Sequence, residues 1–150
     1  MDLEEINEEI KKMGYVPFVT RMERPNFYRL EDGSILRVYS ILNSLIMDTL
    51  NPQNAQINAQ NIVTVFVPQR LRGTPSSQMY SQADYQANME NADMNFETLI
   101  ENFNVYEVNE KNVMSVKTTV SQVSKTKLFN SVGEPIYLVN TTPIPKFKPK

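Results

Sequence analysis

Apolar residues recur along this chain in different rhythms, and each rhythm predicts a different element. Between residues 2 and 13 the rhythm is helical, with Leu3, Ile6, Ile10 and Met13 on one face. Asp2 and Glu5 fit a capping box with aspartate in the serine position. Acids crowd the first turn and Lys11 and Lys12 the last, which suits the helix dipole. Gly14 then stops the helix. The spacing predicts an amphipathic helix laid on a sheet, or an arm that docks on a partner.

From residue 26 the rhythm shortens toward two. Asp32-Gly33 is a two-residue turn signal between apolar runs, so residues 26–47 read as a β-hairpin. Centring the loop there sets Tyr28 opposite Arg37 and Phe27 opposite Val38. The second strand, Ile35 to Met47, is long, and a bulge or bend is expected around Ser40–Ser44. Residues 48–61, rich in Asn and Gln, read as a loop. Ile62–Val67 reads as a buried strand bounded by Pro68.

Residues 68–90 are polar and read as a mobile loop, or as a weak helix begun by Thr74 and Pro75. Phe96, Leu99, Ile100 and Phe103 return to helical spacing and predict a helix over 92–103. Residues 104–123 read as a strand, broken near 109–112, with Met114, Val116, Thr118 and Val120 on one face. A turn at Gly133 leads to a last strand, Ile136–Thr141. Residues 143–150, with alternating Pro and Lys, read as an extended basic tail that could bind in trans. No repeat at a fixed period stands out. Hairpins without βαβ alternation predict an α+β fold. It would be an antiparallel sheet of about five to six strands built from hairpins, with the N-terminal helix and a helix around 92–103 packed on it. At 150 residues this makes a single domain, 1–150.

Composition narrows the chemistry. The chain has no His and no Cys. It therefore lacks the usual proton shuttle at neutral pH, a thiol nucleophile and the commonest metal ligands. Its four glycines sit at turn positions, and none forms a phosphate-cradling loop. The sequence thus predicts no catalytic residue, no metal site and no cofactor. No apolar run approaches the ~20 residues of a membrane span. The acidic start is unlike a secretory leader, so a soluble, cytoplasmic protein without membrane association is expected.

The net charge of −2 hides a partition. Residues 1–12 carry −3, 13–73 carry +2, 74–110 carry −7 and 111–150 carry +6. These blocks either neutralise one another within the fold or drive association between copies. Arg21, Arg24, Arg29 and Arg37 are interleaved with Tyr28 and Tyr39, which predicts an Arg/Tyr sheet face. Arg70 and Arg72 add two further cations before Gly73. Tyr and Arg dominate protein interfaces, so the expectation is a non-enzymatic binding or scaffold protein. It would act by association with itself, as a homo-oligomer, or with a peptide segment. The alternative is a nucleic-acid-binding module that stacks bases on the same face, against which the net acidity weighs.

Overall fold

The computed structural model describes residues 1–46 and 54–150. The helix α1 spans Leu3–Lys12, and the Asp2 side chain caps it by accepting the Glu5 N–H at 2.9 Å. The strands are β1 (Phe18–Met22), β2 (Asn26–Leu30), β3 (Ile35–Ile46), β4 (Gln56–Phe66), β5 (Met89–Asn91), β6 (Phe96–Ile100), β7 (Phe103–Val108), β8 (Asn112–Phe129) and β9 (Pro135–Pro149). A short 3-10 turn, Gln69–Leu71, and a second helix, α2 (Gln82–Ala87), join β4 to β5. The fold is α+β and antiparallel. Its strands form two sheets rather than one: β4-β3-β2-β6, and β1-β7-β8 with β9 and β5 also on β8.

Alternation builds the space between the sheets. In β3 the even positions Leu36, Val38, Ser40 and Leu42 are buried, and in β8 so are Met114, Val116, Thr118 and Val120. One core cluster joins Tyr28, Leu30, Leu36 and Val38 to Val120 and Val123 of the other sheet. The second joins Leu42 and Leu45 to Tyr106, Val108, Met114 and Val116.

The two sheets are copies of one unit. Phe18-x-Thr20-x-x-Glu23-x-x-Asn26-x-Tyr28 returns as Phe96-x-Thr98-x-x-Glu101-x-x-Asn104-x-Tyr106. The spacing is the 78 residues that also separate Ser40 from Thr118, whose hydroxyls meet at 3.2 Å. The copies exchange their first strands. In β1 of the first repeat Phe18 pairs with Val108 of β7, and in β6 of the second repeat Phe96 pairs with Leu30 of β2. The exchanged rings pack edge-on, Phe18 on Tyr106 and Phe96 on Tyr28. Even the bulges correspond, between Leu42 and Ser44 and between Val120 and Gln122. The expectation of no internal repeat is thus corrected. Four of the five identities, the Phe, Glu, Asn and Tyr pairs, sit at packed or hydrogen-bonding positions, while the fifth, Thr20 and Thr98, is exposed in both repeats.

Other expectations change with it. Residues 92–103 contain no helix. Phe96, Leu99 and Ile100 lie in β6, whose pairing with β2 overrides the helical spacing. The second helix falls instead in the 68–90 stretch, where Ser81 and Asp84 form a capping box. Of the loop expected over 48–61, residues 48–53 lie outside the described residues, and strand β4 begins already at Gln56. The expected strand at 62–67 is its end, and it is half-exposed rather than buried. Residues 143–149 belong to β9 and pair with β8 of the same chain, so they are extended but not a free tail. Helix α1 is not packed on a sheet, since it buries none of its residues.

Candidate interaction face

The hairpin turn decides what the Arg/Tyr set can do. The loop holds three residues, Glu31–Gly33, because Leu30 N–H bonds to the Ser34 carbonyl at 2.9 Å. Gly33 takes a positive φ of 92°, and Asp32 accepts the Ser34 N–H at 2.9 Å. Relative to a two-residue loop the register moves by one residue, and one residue exchanges the faces. Tyr28 now lies opposite Leu36, and Phe27 opposite Arg37. Tyr28 is therefore core, 1% exposed, and offers no ring to a ligand.

The remaining candidates are scattered. Arg29, Arg37 and Tyr39 share the outer face of the four-stranded sheet. Arg21 lies on β1 in the other sheet and pairs with Glu107 at 2.7 Å. Arg24 is exposed in the link to β2, and its backbone N–H bonds to Asn104. Arg70 donates to the Asp32 carbonyl at 2.6 Å and so braces the hairpin turn, while Arg72 is exposed beside it. The acidic and basic blocks pair within the fold: Glu101 with Lys117, Glu107 with Lys150, and Glu90 with Lys125.

On the outer face, cross-strand pairs place Tyr39 beside Ile62 and Ile35 beside Phe66. Phe27 lies beside Ile100. Ile62, Phe66 and Ile100 are 41, 48 and 51% exposed. The Arg37 guanidinium stacks over Phe66, 5.2 Å from the ring centroid. Its Nη2 makes one long bond to Thr64, at 3.3 Å, and its Nε finds no partner among the described residues. Arg29 reaches Glu97 only at 3.9 Å. This face joins apolar area to incompletely satisfied cations. The sequence reading missed Ile62, Phe66 and Ile100. Two of them stood in a run taken as buried throughout, and the third in a run taken as helix.

The second repeat supplies an internal comparison. At the places of Arg37, Tyr39 and Ile41 on β3, strand β8 has Ser115, Lys117 and Thr119. The inner faces match, whereas the outer face of the second sheet, which also exposes Val19, Phe103 and Ile144, is lysine-rich, with Lys117 and Lys146 over the Phe103 ring.

The buried polar groups hold the two repeats together. Tyr28 donates to Glu101 and Tyr106 to Glu23, each at 2.8 Å. Burial and then these carboxylates push both phenols far above their ordinary value. Asn26 donates to the Thr118 carbonyl and Asn104 to that of Ser40. Under the hairpin turn, Asp32 meets Tyr137 at 2.6 Å and Lys125 at 3.1 Å. Burial raises the Asp32 carboxyl, but bonds from Tyr137, Ser34 and Lys125 outweigh it and hold the group below its usual range. Burial, followed by the Asp32 carboxylate, raises the Tyr137 phenol in turn.

Two recesses accompany these networks. One of about 170 Å³ lies between the sheets at Ser40, Asn61, Asn104, Thr118 and Thr141. It is below the ~300–1,000 Å³ usual for ligand sites. The other, about 620 Å³, is a groove between α1 and Phe18, Val19 and Glu107. Among the described residues no group of three or more carboxylates gathers as a metal site would require, and no helix is long and apolar enough to cross a membrane. Comparison with known families, curated proteins and solved structures gives no match.

Proposed function

We propose that this chain is a non-enzymatic binding protein that works by protein–protein association, through the outer face of the β4-β3-β2-β6 sheet. One observation carries the reading. Two repeats share a core motif, yet the first sheet sets Tyr39, Ile62 and Phe66 around Arg37 on its outer face, where the second has a lysine-flanked Phe103. Exposed apolar patches rimmed by polar groups mark interaction sites on soluble domains. Aromatic rings and arginine are the side chains that dominate binding energy there. Arg29, exposed and only 3.9 Å from Glu97, favours a partner that brings a carboxylate.

The second repeat also supplies the test. Arg37→Ser, Tyr39→Lys and Ile41→Thr together give the first face the side chains of the second. Solution mass by light scattering, over a range of protein and salt concentrations, is compared between wild type and this triple variant. A wild-type mass above the monomer that falls in the variant, with an unchanged melting temperature, supports the face. An equal mass in both rejects the face as the contact. A wild-type monomer at every concentration overturns self-association.

A further inference from the structure

The edges of the two sheets differ sharply. Among the described residues β4 and β9 each pair on one side only, β4 with β3 and β9 with β8. They are counterparts: Val38 pairs with Val63 as Val116 pairs with Pro145, and Ser40 pairs with Asn61 as Thr118 pairs with Pro143. A proline lacks an N–H, so inside a strand it stands where that N–H would point away from the neighbouring strand. Pro143 and Pro145 therefore mark positions that face the open edge. Lys146 and Lys148 stand at the counterparts of Thr64 and Phe66 and add charge. Proline and lysine are the usual means by which an edge strand is kept from pairing with another chain.

Strand β4 has neither. Its eleven residues, Gln56–Phe66, include no proline and no charged side chain. By correspondence with the prolines, Asn61 and Val63 direct their N–H groups to the open edge. Ile62, Val63 and Phe66 are all exposed there, at 41, 41 and 48%. We infer that β4 pairs antiparallel with β4 of a second copy of this chain, about a two-fold axis near Asn61.

The chemistry favours a copy over an unrelated strand. An isologous contact sets each residue against its own strand run backwards. An uncharged strand does this without placing like charges opposite one another, which destabilises cross-strand pairs. The product is one continuous sheet of eight strands from two four-stranded ones. Pairing brings the Ile62 and Phe66 side chains of both copies to one surface beside Tyr39. The inference rests on the proposed association by naming its partner, and it adds a contact distinct from the face.

Amide hydrogen exchange on the full chain, read beside solution mass, tests it directly. At concentrations where the mass exceeds the monomer, the Asn61 and Val63 amides should exchange at least about tenfold more slowly than on dilution to monomer. They should stay slow in assemblies of the triple face variant, whose edge is intact. Val63→Pro copies Pro145 and so keeps a backbone the fold already uses. It should halve the mass of the assembly at an unchanged melting temperature. An assembled protein whose Asn61 and Val63 amides exchange as fast as in the monomer would sink the edge contact and leave the face reading standing. So would a folded Val63→Pro variant of undiminished mass. A wild-type monomer throughout would overturn the edge contact together with self-association through the face.

Discussion

Tyr28 and Tyr106 stand at matching places in the two repeats, and each gives its phenol hydrogen, over 2.8 Å, to a glutamate of the opposite repeat. The exchange ties the repeats at two buried points. A hydrogen bond to a charged acceptor contributes about 1.5–3 kcal/mol to stability. Tyr28→Phe and Tyr106→Phe are therefore each expected to lower the unfolding free energy by about that amount, measured by chemical denaturation. A loss at only one of the two would show that the repeats do not share the burden.

The same bonds set behaviour in alkali. The phenols of Tyr28, Tyr106 and Tyr137 are held far above their ordinary value in the fold, while in the unfolded chain they ionise near pH 10. A group raised by folding stabilises below its unfolded value, and that contribution is lost as pH rises. Stability should fall above about pH 10. Three of the seven tyrosines should gain tyrosinate absorbance only together with unfolding. Ionisation of all seven in a protein that keeps its circular dichroism would contradict this.

Asp32 gives the opposite sign. Its carboxyl lies below its usual range in the fold, so its contribution is present above about pH 4 and fades as pH falls through the lowered value. Asp32→Asn removes the charge that Lys125 faces at 3.1 Å and weakens the tie to Tyr137. The expected cost is about 2 kcal/mol at neutral pH, with a flatter acid limb. A stability curve parallel to that of wild type below pH 5 would remove Asp32 as a cause.

Helix α1 buries no residue, and Leu3 and Met13 are 70 and 71% exposed. Little apolar area leaves water when it forms. Removing residues 1–13 should change the unfolding free energy by less than about 1 kcal/mol. A loss of several kcal/mol in thermal or chemical unfolding would show that the helix carries part of the core.

Much of the fold was legible. Gly14 and the charges of residues 2–12 located α1, and the alternation in 114–120 located the inner face of β8. The long second strand of the hairpin carried its bulge where one was expected, between Leu42 and Ser44. The candidate face was legible in part. Arg29, Arg37 and Tyr39 do share a surface, but Tyr28 does not, because a three-residue turn moved the register by one. The repeat was not legible because Phe96–Ile100 has the spacing of a helix while its counterpart Phe18–Met22 shows no periodicity that marks an element.

The sequence by itself determined the local matters: where α1 is capped and stopped, which side chains alternate, where glycine permits a turn, and that His and Cys chemistry is absent. These follow from interactions within a few residues along the chain. Tertiary structure alone decided that Phe96–Ile100 is a strand, that Glu101 belongs to Tyr28, and that Pro145 and Val63 are counterparts on two edges. The first two depend on groups brought together from distant parts of the chain, Leu30 with Phe96 and Tyr28 with Glu101, and the third on the matching registers of β3 with β4 and of β8 with β9. The free energy of burying Tyr28 and Tyr106 against their glutamates outweighs the weak local preference of the segments that carry them.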